Sequence, residues 1–182
     1  MVHSRYRRLA PAALCVLATA APACGSRPAE SAALPGAATT NVSAPPIGDI
    51  AHLSAVRLTP RAGHDELVLE FIDAVPGYTV GYVPLPARAD GSGFEIPLPG
   101  AAALVQVTLT PATGDGWAGG QRSYHGPPAV TADRAAAVTE AKVAGDFEAV
   151  LTWVVGLRTR VPFRVHTADG PPRLVVEFQA SP

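Results

Sequence analysis

The chain has little cysteine, lysine, asparagine or aromatic side chain, and each shortage excludes something. Two Cys among 182 residues rule out a disulfide-stapled scaffold. Charged residues make up only 16% of the chain and sum to a net charge of −1. The basic excess that neutralises many phosphates is missing, so nucleic acid is not an expected partner. Lys142 is the single lysine beside 13 Arg, Asn41 is the single asparagine, and Ala occurs 34 times, a bias that a GC-rich coding genome produces without any functional demand. Leu9 to Ala23 is the longest apolar run, broken by Pro11 and Pro22. It falls short of the roughly 20 residues needed to cross a hydrocarbon core, so no transmembrane helix is expected.

The first thing present is an address. His3, Arg5, Arg7 and Arg8 form a positive head, the Leu9 to Ala23 stretch follows, and small residues precede Cys24. This order reads as an export signal over residues 1–23. Its ending, Ala21-Pro22-Ala23-Cys24, is similar to a bacterial lipobox, whose cysteine thiol receives a diacylglycerol before cleavage. Ala21 and Ala23 also fit an ordinary secretory cleavage site, which leaves plain secretion as the alternative. Either cleavage removes Cys15 and leaves Cys24 alone, and lipidation accounts for a lone exported thiol. Several acyl chains anchor durably where one is marginal. Loss of residues 1–23 leaves 11 basic against 15 acidic side chains, so the mature surface does not attract anionic lipid. Attachment to the cell membrane, facing the wall, then rests on the lipid at Cys24.

Residues 24–51 are mostly Ala, Pro, Ser, Thr and Gly, a composition that cannot offset its ordering entropy. They read as a disordered tether holding a head toward cell-wall polymer. Residues 52–182 read as one domain. Leu67, Leu69 and Phe71 point one way and Val68, Glu70 and Ile72 the other. The pattern recurs at Tyr78/Val80/Tyr82, Val105/Val107/Leu109, Ala149/Leu151/Trp153, Val161/Phe163/Val165 and Leu174/Val176/Phe178. With weaker runs at 55–59, 94–98 and 139–143, the fold class is all-β, a two-sheet sandwich of about nine short strands. Turns are expected at Pro76-Gly77, Asp90 to Gly93, Gly145-Asp146 and Asp169 to Pro172. Thr131 to Ala137 is the one stretch with a helical pattern, a short helix with Thr131 as its cap.

Several of these runs resemble the AMIN-like domain found in exported actinobacterial lipoproteins. They are Asp65 to Phe71, Pro76 to Val83, Asp90 to Gly93, Ala144 to Trp153, Val155-Gly156-Leu157, Pro162 to Val165 and Pro171 to Glu177, spanning about residues 54 to 179. The chain departs from the family pattern at Glu66, where a basic residue is usual. The resemblance implies a β-sandwich of the kind found beside envelope enzymes and secretion machinery, helping to localise proteins through peptidoglycan or envelope neighbours.

Candidate chemistry is sparse. His52, His64, His125 and His166 remain after processing, without HxxxH, HxH or CxxC spacing, so no metal site and no cofactor are expected. There is no GxSxG or SxxK for a serine nucleophile, and the nearby acidic pairs Asp65/Glu66 and Asp146/Glu148 look structural. Gly114 to Gly120 lacks the Lys and the following helix of a phosphate-binding loop. No enzyme activity is expected. The candidate ligand contacts are Trp117, Arg122, Tyr124 and His125, grouped in the glycine-rich stretch Gly114 to Pro128, where aromatics can stack on sugar faces and Arg or His can meet hydroxyls and carboxylates. Arg164 is added as a carboxylate-recognising cation on a strand, where pairing with Glu70 or Glu177 competes. Trp153 reads as core. The expected function is non-catalytic binding of peptidoglycan or an envelope partner protein. The alternative is a small-ligand carrier with a pocket in the sandwich.

Overall fold

Short runs of β-formers cut by Pro and Gly favour many strands. The computed structural model describes residues 1, 33–46, 48–116 and 120–180, and within them eleven strands form two sheets. In chain order these are β1 (Val42–Ala44), β2 (Ala51–Arg61), β3 (His64–Phe71), β4 (Gly77–Val83), β5 (Ala103–Thr110), β6 (Ala112–Thr113), β7 (Ala129–Val130), β8 (Val138–Phe147), β9 (Val150–Leu157), β10 (Phe163–Ala168) and β11 (Arg173–Gln179). One sheet has the order β1-β4-β5-β9-β8-β7 and the other β10-β11-β3-β2-β6. The short β2–β6 pair is parallel and the other pairs are antiparallel.

The alternation read from the sequence sets the core. Burial in β3 switches residue by residue, placing Leu67, Leu69 and Phe71 inside. They share one cluster with Val105, Val107 and Leu109, with Leu151, Trp153 and Val155, and with Leu174, Val176 and Phe178. Trp153 is fully buried, as expected for that face. Tyr82, on β4, ties its sheet to the connection between β9 and β10: its hydroxyl donates to the Val161 carbonyl and accepts from the Val161 N–H, while Arg160 lies over its ring at 3.8 Å.

In β9, Leu151–Leu157 are buried on both faces. The reason is a covering loop. Ala87, Ile96, Leu98 and Ala101 cross the outer face of the six-stranded sheet and pack on Leu104, Ala144 and Val154. Residues 94–98, expected as a strand, belong to this loop and make only an isolated bridge from Glu95 to Arg88. The Asp90 N–H donates to the Ala144 carbonyl, where β8 shifts register between Val143 and Gly145.

Three further expectations are corrected. Thr131 to Ala137 is not helical, and no helix occurs among the described residues. The backbone N–H groups of Ala136, Ala137 and Val138 instead donate to the Asp65 carboxylate at 3.1, 2.7 and 2.9 Å. A helix would pair these amides with carbonyls of its own first turn and leave the buried Asp65 carboxylate without donors, so the charge-assisted bonds to that carboxylate win. Gly145-Asp146 is not a turn but continues β8; the hairpin reverses at Glu148 and Ala149, with φ of 50° and 57°. Both central residues are left-handed, the twist that two-residue hairpins require.

The third correction concerns residues 24–51. From Leu34 onward the described part of this segment lies on the sandwich. Leu34 N–H donates to Gln179 Oε1 at 3.3 Å, Ala38 pairs with Phe163, and β1 pairs with β4 through Val42↔Val80. Composition missed this because an edge strand recruits backbone rather than large side chains. Two glycines make the approach possible. A Cβ at Gly81 would stand 2.2 Å from Asn41 Oδ1, and one at Gly77 would stand 2.5 Å from Pro46 N. The signal segment 1–23, Cys24 and the tether up to residue 32 lie outside the described residues, Met1 apart.

A candidate binding cleft at the end of the sandwich

The stretch after β6 forms a closed loop because both its ends are tied. The Gly114 carbonyl accepts from the N–H groups of Ser123 and Tyr124, both at 2.9 Å, and Ser123 Oγ donates to the Leu53 carbonyl at 2.8 Å. Asp146, on β8, anchors the start of the loop. Its carboxylate accepts from Thr113 Oγ1 at 2.9 Å, Gly114 N at 2.7 Å and Asp115 N at 2.9 Å. Gly114 has to be a glycine here, since a Cβ would stand 2.8 Å from that of Tyr124.

This closure leaves a partly open cleft of about 280 Å³ at the sandwich end. Trp153, Tyr124, Leu53 and Leu151 supply apolar wall, and Asp115, Arg122 and Asp146 supply polar groups. Tyr124 meets Trp153 edge to face, with ring centroids 5.8 Å apart, and its hydroxyl donates to the Pro127 carbonyl at 2.7 Å. Burial raises the Tyr124 phenol above its ordinary range, so it stays a neutral donor and acceptor. Arg122 pairs with Asp115 at 3.0 Å, and both side chains are more than half exposed. Such a pair adds little stability. It is therefore free to exchange partners with a ligand at small cost.

Of the five residues read as ligand contacts, the fold brings Arg122 and Tyr124 to this cleft. His125 is exposed beside them and is not part of the lining, and Trp117 lies outside the described residues. Arg164 is elsewhere, on the outer face of the five-stranded sheet. Its Nε and Nη2 both donate to the Glu177 carboxylate, the latter at 3.0 Å. That bidentate pair is the competing reading made for it, and it holds the Glu177 carboxyl below the usual carboxylate range against the opposing effect of burial. Arg57 likewise pairs with Glu70 at 2.9 Å.

Around Glu177 two of the four histidines that look scattered in the chain, His64 and His166, come together. His64 Nε2 is 3.4 Å and His166 Nδ1 3.6 Å from its carboxylate oxygens. His64, Glu66 and Glu177 present ligand-capable atoms within 4.8 Å of one another. A search for short local spacings misses this set. The sequence signal was the alternation in His64-Asp65-Glu66, which puts the first and third side chains on one strand face.

The AMIN-like domain family matches residues 51–180. The chain belongs to this family. No curated protein and no solved structure matches it. The AMIN-like domain thus begins with β2 and ends after β11, so it contains the cleft and the Glu177 cluster, while β1 and the segment before it precede the match. AMIN-like domains are envelope-associated, which fits an exported protein.

Proposed function

We propose that this AMIN-like protein is exported, held to the membrane by lipid on Cys24, and binds peptidoglycan or an envelope partner protein without catalysis. The observation that carries the reading is the family match over residues 51–180. The cleft supports it: the partly exposed Tyr124 ring beside an exchangeable Arg122–Asp115 pair suits a sugar with neighbouring hydroxyl or carboxylate groups. A binding role is also supported by the use of two carboxylates, the buried Asp65 and the half-buried Asp146. Asp65 and Asp146 each bond to several backbone N–H groups, which commits them to structure.

The carrier reading draws on the same cleft, whose volume suits a single ring or a short side chain rather than a large ligand. One experiment separates the two. The purified protein is incubated with isolated cell wall and sedimented, and envelope neighbours are captured by crosslinking in cells, for the wild type and for Trp117→Ala/Arg122→Ala. Wall or neighbour capture that falls about tenfold in the variant supports the proposal, since clefts of this type lose most affinity with a few central groups. Absence of both in the wild type refutes it. A small molecule copurifying with the wild type and lost from the variant favours the carrier instead.

A further inference from the structure

We propose that His64, Glu66 and Glu177, with His166 as a fourth donor, form a site for a divalent transition-metal ion of zinc's class on the outer face of the five-stranded sheet. The argument starts from strand register. Alternation along β3 sends Asp65 and Leu67 inward, leaving His64 and Glu66 on the outer face. The antiparallel β3–β11 ladder sets Glu66 directly opposite Glu177 and His64 opposite Gln179, and β10 brings His166 alongside. Two carboxylates facing each other across a ladder repel, and such a pair calls for positive charge between or around it.

The distances favour an ion. His64 Nε2 is 3.4 Å from Glu177 Oε1, and His166 Nδ1 is 3.6 Å from Glu177 Oε2. Ligands about 2.0–2.2 Å from a tetrahedral zinc ion lie roughly 3.3–3.5 Å from one another. Both separations already approach that value, and the ligand atoms of His64, Glu66 and Glu177 lie within 4.8 Å of one another, close enough for small movements of side-chain ends to bring them onto one ion. All four residues stand on paired strands, which fixes where each donor starts.

The arginines fit an outer shell. Arg61 holds Glu66 Oε1 at 2.9 Å and Arg164 holds both Glu177 oxygens, yet a carboxylate has about four acceptor positions, so each keeps lone pairs for a metal. Their charges also oppose a cation, so binding in the micromolar range is expected rather than the much tighter grip of a thiolate site. Mixed imidazole and carboxylate donors select zinc, nickel or copper over magnesium and calcium. The site also adjoins the N-terminal strap. Leu34 N–H bonds Gln179, and the Pro35 carbonyl accepts from Arg164 Nη1.

The test titrates zinc chloride into the untagged full chain in detergent by calorimetry, with magnesium chloride as the contrast and His64→Ala, Glu66→Gln and His125→Ala as variants. The expected result is one zinc ion per chain, affinity lower by about tenfold or more in His64→Ala and Glu66→Gln, no change in His125→Ala, and no heat from magnesium. Thermal melts without metal check that each variant is folded, and Glu66→Gln keeps size and shape should His64→Ala fail. The proposal is overturned if the wild type does not bind zinc, if magnesium binds equally, or if folded Glu66→Gln binds zinc as the wild type does.

Discussion

Asp65 is the residue whose loss should cost this fold most for its size. Its side chain is 1% exposed and accepts three backbone N–H groups from the segment leading into β8. Asp65 belongs to the five-stranded sheet and β8 to the six-stranded one, so the carboxylate ties the sheets together through polar contacts. A hydrogen bond to a charged group contributes about 1.5–3 kcal/mol net, and a buried donor left unpaired costs about 1–3 kcal/mol. Asp65→Asn keeps one oxygen, which can accept two of the three bonds, but turns an NH₂ toward the remaining donor. The expected loss is about 3 kcal/mol. Asp65→Ala orphans all three donors, although the Ala136 amide is only partly buried and water can reach it; about 4 kcal/mol is expected. With a urea dependence near 2 kcal/mol per molar, these losses move the unfolding midpoint down by roughly 1.5 and 2 M. The assay is urea unfolding of the purified protein followed by Trp fluorescence, with the slope checked for constancy. Midpoint shifts below about 0.3 M in both variants would refute the claim that this carboxylate joins the sheets.

Two further predictions concern charge and anchoring. The Arg164 hydrogen bond keeps the folded-state Glu177 carboxyl below its ordinary value of 4.5, so its contribution is present above that pH and is lost as pH falls toward the lower folded-state value. Urea midpoints measured from neutral to about pH 3 should therefore fall more steeply in the wild type than in Glu177→Gln, and equal slopes would count against the Arg164–Glu177 pair as the source. Cys24→Ser should move the protein from the membrane fraction to the soluble exported fraction on fractionation, and retention in the membrane would remove the lipid anchor.

The cleft and the Glu177 cluster show two kinds of legibility. Gly114 to Pro128 stood out because aromatics and Arg among glycines have no periodic reason to be core, and Arg122 and Tyr124 do line a cleft. Its other wall, Trp153 with Leu53 and Leu151, could not be assigned to a site, because the same alternation that buries a strand residue also places it at a sandwich end. His64, Glu66 and Glu177 were invisible as a group. More than 100 residues separate Glu66 from Glu177, and only the β3–β11 register makes them neighbours.

By itself the sequence determined the class of fold and, for strands such as β3, β5 and β11, which face is inward. Side-chain direction alternates with every strand residue, so hydrophobic alternation is a local property written in the chain. Tertiary structure decided everything that depends on a partner distant in sequence. The Asp65 carboxylate claimed the amides of a segment that resembled a helix, and free sheet edges took up a segment whose composition argued for disorder. Strand order then set two carboxylates face to face between arginines and histidines. Each of these outcomes rests on a donor or acceptor meeting its counterpart across the fold, and no local pattern in the chain encodes which counterpart that is.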